Sequence, residues 1–250
     1  MEHTAHLWLV RGYFVAALVT AAVVTLVTAP YGRHARPGWG PTVSSTLGWV
    51  LMESPAVVGM ALCWALGSHD LVGTVFVAAW MAHYVHRAFV YPLRRRAGAR
   101  AMPIVIALLG AGFNAFNSFV IGRWLFTLGP VRERAWLTAP AFVGGAAVFA
   151  AGVALNVHSD EVLLRLRAPG ERGYKIPRGG AFRWVTSPNY LGEVMAWAGF
   201  AVMTGAPAAW AFAVYTAANL APRAWAHHGW YRQTFTDYPR ERRALIPFVW

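Results

Sequence analysis

The sequence predicts an all-α polytopic membrane protein with seven transmembrane helices, a non-cytoplasmic amino terminus and a cytoplasmic carboxyl terminus. Of its 250 residues 57% are hydrophobic and only 13% are charged, too few ionisable side chains to cover a water-soluble protein of this size. Two further observations support this prediction, namely a series of apolar segments and an unequal distribution of arginine. This composition excludes disordered, collagen-like and coiled-coil chains, and the single Cys63 excludes a disulfide within the chain.

Each predicted helix is an apolar segment close to the length that a bilayer requires, about 20 residues. The seven segments are 12–29, 42–66, 71–93, 102–122, 137–155, 190–204 and 207–221. The last two are short and are interrupted around Gly205 and Pro207, so they form either two brief tilted spans or one long broken helix. No basic stretch precedes the first segment and no cleavage-site pattern follows it, which predicts a retained helix and not a removed signal peptide.

Basic residues are distributed unequally between the two sides that seven alternating spans define. The side of the amino terminus carries Arg11, Arg132 and Arg134, whereas the opposite side carries seventeen basic residues, including Lys175, the one lysine. Because cytoplasmic connections collect Lys and Arg, the arginine-rich side is predicted to be cytoplasmic. The arginine-rich, alanine-rich and lysine-poor composition favours a bacterial inner membrane over the endoplasmic reticulum. We expect one integral-membrane domain, 1–250.

Two polar side chains fall at membrane depth in the predicted second and third spans, within segment 42–93. Glu53 and Tyr84 lie about 16 Å and about 15 Å from the cytoplasmic ends of their helices, at a rise of 1.5 Å per residue. A carboxylate at this depth costs roughly 3 kcal/mol, so Glu53 should have a partner, either as a functional acid or as a strut between helices. Tyr84 also needs a partner, whereas Arg87 is long enough to extend to the cytoplasmic surface.

Other polar residues in the spans have simpler interpretations. Asn114 is expected to bridge helices, although it could line the same cavity. His83, His86, His227 and His228 faintly resemble the histidine pattern of a membrane di-iron enzyme, but such a site requires several histidine boxes and supporting carboxylates. No metal site is therefore predicted.

The stretch 156–189 is a long polar connection in a chain that otherwise has short ones, and such connections tend to be functional. It mixes cations with Asn156 and Asp160, which suits a polyanionic ligand that carries hydroxyl groups. At its end Ser187 is a candidate N-cap, and Asn189 and Glu193 lie one turn apart at the start of a helix. Backbone donors at that helix start favour an anionic or amide-bearing ligand. Residues 156–250 are therefore predicted to form a cytoplasmic ligand-binding region.

These motifs together resemble the steroid 5α-reductase family of membrane enzymes. The resemblance covers about 156–250, through the runs 156–160, 166–171, 174–177, 187–193, 223–228 and 237–239. In the amino-terminal half it is limited to 53–55 and 83–91. Met52, Leu164 and Ala226 depart from the pattern, since Gln, Arg and His are common at those positions, and the first departure leaves the substrate open.

The resemblance implies a seven-helix reductase that uses NADPH to saturate the 4,5 double bond of a 3-oxo-4-ene steroid. It implies that Glu53 and Tyr84 meet the steroid carbonyl. Such a reduction places negative charge on the enone oxygen, which a buried tyrosine hydroxyl held by a neighbouring acid can stabilise. The resemblance also implies eleven cofactor contacts, namely Arg100, Asn156, Asp160, Arg167, Tyr174, Asn189, Glu193, Arg223, His227, Tyr231 and Arg242.

Two alternative functions belong to other classes. The run 188–193 beside a final helix is also similar to membrane methyltransferases of the isoprenylcysteine type, which use S-adenosylmethionine. Glu53 and the segment 83–87 disfavour that function, because methyl transfer needs no enolate stabiliser. The chain could also be a non-catalytic sterol or lipid sensor or transporter. The expected partners are a lipophilic steroid-like enone and membrane lipids, with no nucleic acid and no protein partner.

Overall fold

The computed structural model describes residues 1–27, 38–95, 101–168, 171 and 173–250. Within them the chain is mostly helical, with one antiparallel pair of two-residue strands, β1 and β2. The order is α1 (Glu2–Leu26), β1 (Thr42–Val43), α2 (Ser45–Ala65), α3 (Leu71–Val85), α4 (Tyr91–Arg94), β2 (Met102–Pro103), α5 (Ile104–Arg123), α6 (Pro140–Arg165), α7 (Pro188–Thr204) and α8 (Pro207–Thr234). A π-helical turn, His86–Val90, joins α3 to α4, a second one, Trp124–Leu128, extends α5, and 3-10 helices cover Arg134–Thr138 and Gly180–Arg183.

Helices lie at all seven predicted spans, and four of them are long and apolar enough to cross a membrane by length and composition. These four, found among the described residues, are Glu2–Leu26, Ser45–Ala65, Ile104–Leu128 and Pro140–Arg165. They indicate an integral membrane protein. The last two predicted spans are two separate helices, because the chain leaves the helical conformation at Gly205, whose φ is +61°. Helix α8 continues well past the predicted end at 221.

The described chain forms two compact units. The described residues of the first unit lie within Met1–Arg11, Ala29–Val143 and Thr204–Ala209, and those of the second lie within Gly12–Thr28, Gly144–Met203 and Trp210–Trp250. In the first unit α2 packs chiefly against α5 and then against α3. This packing brings the second, third and fourth predicted spans together around the segment that contains Glu53.

Helix α2 is supported near Pro55, a residue that cannot donate a backbone hydrogen bond. Side chains of neighbouring helices contact three carbonyl groups of this stretch. Asn114 Nδ2 donates to Met52 O at 2.8 Å and Trp80 Nε1 donates to Ala56 O at 3.0 Å. Ser118 Oγ lies 3.4 Å from Pro55 O and 2.8 Å from Asn114 O of its own helix. The helix is therefore fixed by α3 and α5 at the level of Glu53.

In the second unit α6 and α7 approach so closely that their backbones touch at glycine. A Cβ atom on Gly152 would lie 2.7 Å from Gly192 O, and one on Gly145 would lie 2.8 Å from Gly199 O. Small residues at matching levels of two helices permit this distance. The contact sets the spacing of the polar side chains that the two helices carry at their 156–160 and 189–193 ends.

We expect Gly152→Ala to destabilise the second unit by about 1–3 kcal/mol, because its methyl group would displace the backbone of α7. The matched control is Gly144→Ala on the same helix, where a Cβ would have no neighbour within 4 Å. The control should be neutral or slightly stabilising, since alanine favours the helix. Thermal unfolding in detergent measures both, and equal melting temperatures would contradict the expectation.

Candidate functional site

In the first unit Asn114 bridges Glu53 and Tyr84. Tyr84 Oη donates to Asn114 Oδ1 at 3.3 Å, and Asn114 Nδ2 donates to Glu53 Oε2 at 3.2 Å. Glu53 is 8% exposed and Tyr84 is 4% exposed. The acid of α2 and the phenol of α3 are thus held on one amide of α5, away from solvent.

Arg87 completes this cluster with a positive charge. Its Nε atom lies 3.7 Å from Glu53 Oε1, and its side chain is 18% exposed. The guanidinium also lies over the ring of Trp49 at 4.7 Å and over that of Tyr91 at 5.9 Å, in cation–π geometry. The expectation that Arg87 extends to the surface is therefore wrong. The side chain instead places its positive charge beside the buried Glu53.

The backbone around Arg87 departs from α-helical geometry. Residues His86–Val90 form a π-helical turn between α3 and α4, and such turns are frequent at functional sites because they change which side chains share a face. Tyr84 precedes the turn and packs on Trp80, with ring centroids 4.7 Å apart. The turn lies between the buried phenol and Tyr91, whose ring meets Trp49 edge-on at 5.6 Å.

In the second unit three of the predicted cofactor residues form one hydrogen-bonded group. Asn156 Nδ2 donates to Asn189 O at 3.0 Å, and Asn189 Nδ2 donates to Asp160 Oδ1 at 3.1 Å. Asn156 and Asp160 lie one turn apart on α6 and are almost fully buried. Asn189 lies in the first turn of α7, which begins at Pro188 as the Ser187-Pro188 pair predicts.

A second group surrounds Tyr190 at the same helix start. The Arg223 guanidinium lies 5.6 Å above the Tyr190 ring, and the His227 ring lies 5.5 Å from it. Glu193, one turn after Asn189, instead accepts a hydrogen bond from Trp197 Nε1 at 3.1 Å.

The remaining predicted cofactor residues lie around the loop before α7 and on α8. Arg167 Nη1 donates to Gly173 O at 3.2 Å, and the Tyr174 ring meets that of Trp230 edge-on at 5.1 Å. Tyr231 Oη donates to Lys175 O at 3.4 Å. Arg100 lies outside the described residues.

Arg242 is a cation whose bonding capacity is only partly used. It is 3% exposed, and its Nε and Nη1 atoms have no hydrogen-bond partner among the residues that the structure describes. Its guanidinium lies 5.3 Å from the centre of the Tyr238 ring, which in turn stacks on Tyr231 at 5.3 Å. Because buried donors of a charged group are costly when they lack hydrogen-bond partners, these two nitrogen atoms are suited to an anionic ligand.

The carboxyl-terminal segment that carries Arg242 is fixed through Thr186. Thr186 Oγ1 lies 2.7 Å from both His228 Nδ1 and Tyr238 Oη, and the Thr186 N–H donates to Arg243 O at 2.8 Å. The contact joins the residues before α7 to α8 and to the segment that follows α8, through Tyr238 and Arg243. Sequence reasoning included Tyr238 in the family resemblance without a role for its side chain, and it missed Thr186.

The pKa of His228 is lowered from its ordinary value of 6.5 by burial, then by Arg232 and Arg243. Between the lowered pKa and about 6.5 the unfolded chain binds more protons than the folded one, so stability should rise with pH through this window and level off above it. His228→Gln should remove this part of the acid sensitivity. Melting temperatures at pH 5.5 and 7.5 measure it, and an unchanged difference in the variant would contradict the assignment.

The two units therefore carry different chemistry. The first has a buried acid, a phenol and a guanidinium around Asn114, an arrangement that can stabilise negative charge on an oxygen atom. The second has amides and a carboxylate for hydroxyl or amide groups, and arginines for phosphate. Sequence reasoning expected Asn114 to bridge helices or to line the same cavity, and it did not identify the hydrogen bonds of Asn114 to both Glu53 and Tyr84. An amide within an apolar helix was the available signal.

Comparisons with known proteins point to one family. A family model described as 3-oxo-5-alpha-steroid 4-dehydrogenase matches residues 100–250. Steroid 5-alpha-reductase DET2 of Gossypium hirsutum is 40% identical over 243 residues, 95% of this chain and 94% of that protein. The protein of the same name from Arabidopsis thaliana is 41% identical over 239 residues, 92% and 91% of the two chains. The 3-oxo-5-alpha-steroid 4-dehydrogenase 1 of Bos taurus is 37% identical over 238 residues, 93% and 92% of the two chains.

Proposed function

The chain belongs to the 3-oxo-5-alpha-steroid 4-dehydrogenase family, the steroid 5α-reductases, which are oxidoreductases, and we propose that it reduces the 4,5 double bond of a 3-oxo-4-ene steroid with NADPH. The product would be a 5α-reduced 3-oxo steroid. The observation that carries this proposal is the buried hydrogen-bonded arrangement of Glu53, Asn114 and Tyr84. Residues 1–250 are proposed to act as a single reductase domain.

The reaction needs a hydrogen-bond donor at the steroid carbonyl. Hydride addition at C5 would leave an enolate with negative charge on the C3 oxygen, and a proton from water at C4 would then complete the saturated ketone. A preorganised donor in a dry site is an effective stabiliser of such charge. We assign this role to the Tyr84 hydroxyl. Glu53 assists the polarisation of the same carbonyl through Asn114, which links it to Tyr84, and Arg87 compensates the charge of Glu53.

The cofactor assignment is supported by Arg242, whose buried donors have no partner among the described residues. A phosphate oxygen would satisfy them with charge-assisted hydrogen bonds. NADPH would supply the hydride when bound, whereas the chain supplies binding and orientation. The residues proposed to hold it are Arg100, Asn156, Asp160, Arg167, Tyr174, Asn189, Glu193, Arg223, His227, Tyr231 and Arg242.

A direct assay tests the function. Purified protein is mixed with NADPH and a panel of 3-oxo-4-ene steroids, the fall in NADPH absorbance is followed, and the product is identified by mass spectrometry. We expect a product two mass units heavier than the steroid, with 5α stereochemistry. Methylation from S-adenosylmethionine without NADPH consumption would favour the methyltransferase alternative, and binding of a sterol with neither reaction would favour a sensor or transporter.

The membrane arrangement is proposed with the function. We propose seven spans with the amino terminus outside the cytoplasm and the carboxyl terminus inside it, since helices coincide with all seven predicted segments and the basic residues are strongly asymmetric. The arginine-rich composition supports residence in a bacterial inner membrane. Labelling of single cysteines introduced near each terminus, in a Cys63→Ser background, tests the orientation.

A further inference from the structure

We propose that Asn114 is a positioning residue that sets the direction of the Tyr84 hydroxyl proton, an inference that rests on the proposed function. Both donors of its amide are engaged, by Met52 O at 2.8 Å and by Glu53 Oε2 at 3.2 Å. The amide therefore turns its oxygen to Tyr84, and an amide oxygen can only accept. Tyr84 must consequently be the donor in the bond between them.

The hydrogen bond between Tyr84 and Asn114 is weak enough for the Tyr84 proton to change its acceptor. The Tyr84–Asn114 distance of 3.3 Å exceeds the usual range for an O–H···O hydrogen bond, about 2.5–3.0 Å. An enone oxygen that gains negative charge accepts more strongly than a neutral amide. Asn114 thus holds the hydroxyl in donor orientation while the site is free of substrate and releases it to the enone oxygen. The Asn114 oxygen then loses its hydrogen bond from Tyr84. The side chain stays in place because Nδ2 still donates to Met52 O and to Glu53 Oε2.

The same amide also weakens the acid as a competitor for the phenol proton. Asn114 donates to Glu53 Oε2 and Arg87 lies beside Glu53 Oε1, so part of the accepting capacity of the carboxylate is already used. A carboxylate that has lost the Asn114 donor would be a stronger acceptor for Tyr84 than the amide is. Loss of Asn114 would therefore leave the Tyr84 proton directed to Glu53 and away from the substrate.

A purely structural role for Asn114 makes a different prediction, because its bond to Met52 O also joins α5 to α2. Ser118 provides the matched comparison. It lies one turn later on the same helix and is fully buried, and its hydroxyl lies 3.4 Å from Pro55 O of α2 and 2.8 Å from the backbone oxygen of Asn114. Ser118→Ala removes a contact between the same two helices and a backbone contact of Asn114, and it leaves the Asn114 side chain with its bonds to Glu53 and Tyr84.

The test is a double-mutant cycle on single-turnover NADPH oxidation with a 3-oxo-4-ene steroid, together with NADPH binding. Asn114→Leu should lower turnover at least tenfold with unchanged NADPH affinity, whereas Ser118→Ala should stay within about twofold. In a Tyr84→Phe background Asn114→Leu should have no further effect. Asn114→Asp, a variant of the same size, should also lower turnover only when Tyr84 is present, since its carboxylate would hold the phenol proton.

Each other outcome counts against a defined part of the inference. Equal losses from Asn114→Leu in both backgrounds, or a comparable loss from Ser118→Ala, would show a structural strut and overturn the positioning role. Should Asn114→Leu fail to fold, Asn114→Asp with wild-type turnover would overturn it as well. If the wild-type protein reduces no enone while it binds NADPH, the proposed function itself fails, independently of any variant.

Discussion

Replacement of Tyr84 by phenylalanine is expected to lower turnover of a 3-oxo-4-ene steroid by about 10²–10³-fold. The change removes one oxygen atom from a side chain that is 4% exposed and packs on Trp80. The ring can keep its position, so the loss would come from the missing donor at the steroid oxygen. Single-turnover NADPH oxidation measures the effect, and the dissociation constant of NADPH, from tryptophan fluorescence, should not change.

Tyr13→Phe is the matched control, since Tyr13 is equally buried and lies in the second unit, where its ring meets that of Tyr215. We expect turnover of this variant to stay near that of the wild type. A Tyr84→Phe enzyme that retains more than a tenth of the wild-type turnover would contradict the role assigned to the phenol. A loss that is accompanied by weaker NADPH binding would point to damage elsewhere in the fold.

Replacement of Arg242 by leucine is expected to weaken NADPH binding by about 10- to 100-fold, the cost of one or two charge-assisted hydrogen bonds. In contrast to the weaker NADPH binding, the stability of the NADPH-free protein is expected to stay the same or to increase. Arg242 is buried with two donor atoms unpaired among the described residues, so the free protein bears a desolvation cost that leucine removes. The variant should melt at the same or a higher temperature than the wild type without NADPH, and it should lose most of the NADPH-induced rise.

Arg240→Leu removes the same charge from an exposed position of the same segment, so it reports the long-range electrostatic part alone. We expect less than a threefold change in NADPH affinity for this control. A lower melting temperature of Arg242→Leu with unchanged NADPH affinity would identify Arg242 as a structural residue. Calorimetric titration and differential scanning fluorimetry together separate these cases.

Features set by local sequence were well predicted. The predicted family is confirmed by relatives that match over nearly the whole chain. Apolar length identified the helices, and the Ser187-Pro188 pair identified the start of α7. Polar residues within apolar spans are expected to have partners. This expectation identified Glu53 and Tyr84, and it identified Asn114 as a bridge between helices.

Features set by packing between helices were not predicted. The length of the Arg87 side chain predicts that its charge lies at the cytoplasmic surface. In the structure Arg87 lies in a π-helical turn, and its guanidinium lies over the Trp49 ring and beside Glu53. The unpaired donors of Arg242 depend on how the last residues fold back on Thr186, and no local pattern reports that contact. The cofactor residues were implied by resemblance alone, and their roles stay predictions.

The glycine contacts between α6 and α7 have a mechanical consequence. Helix α6 is long enough to adjust its tilt when the surrounding bilayer becomes thicker or thinner. Because its backbone touches that of α7 at two levels, the pair cannot slide past each other and must tilt together. The amides of Asn156 and Asn189 would then keep their register in membranes of different lipid composition.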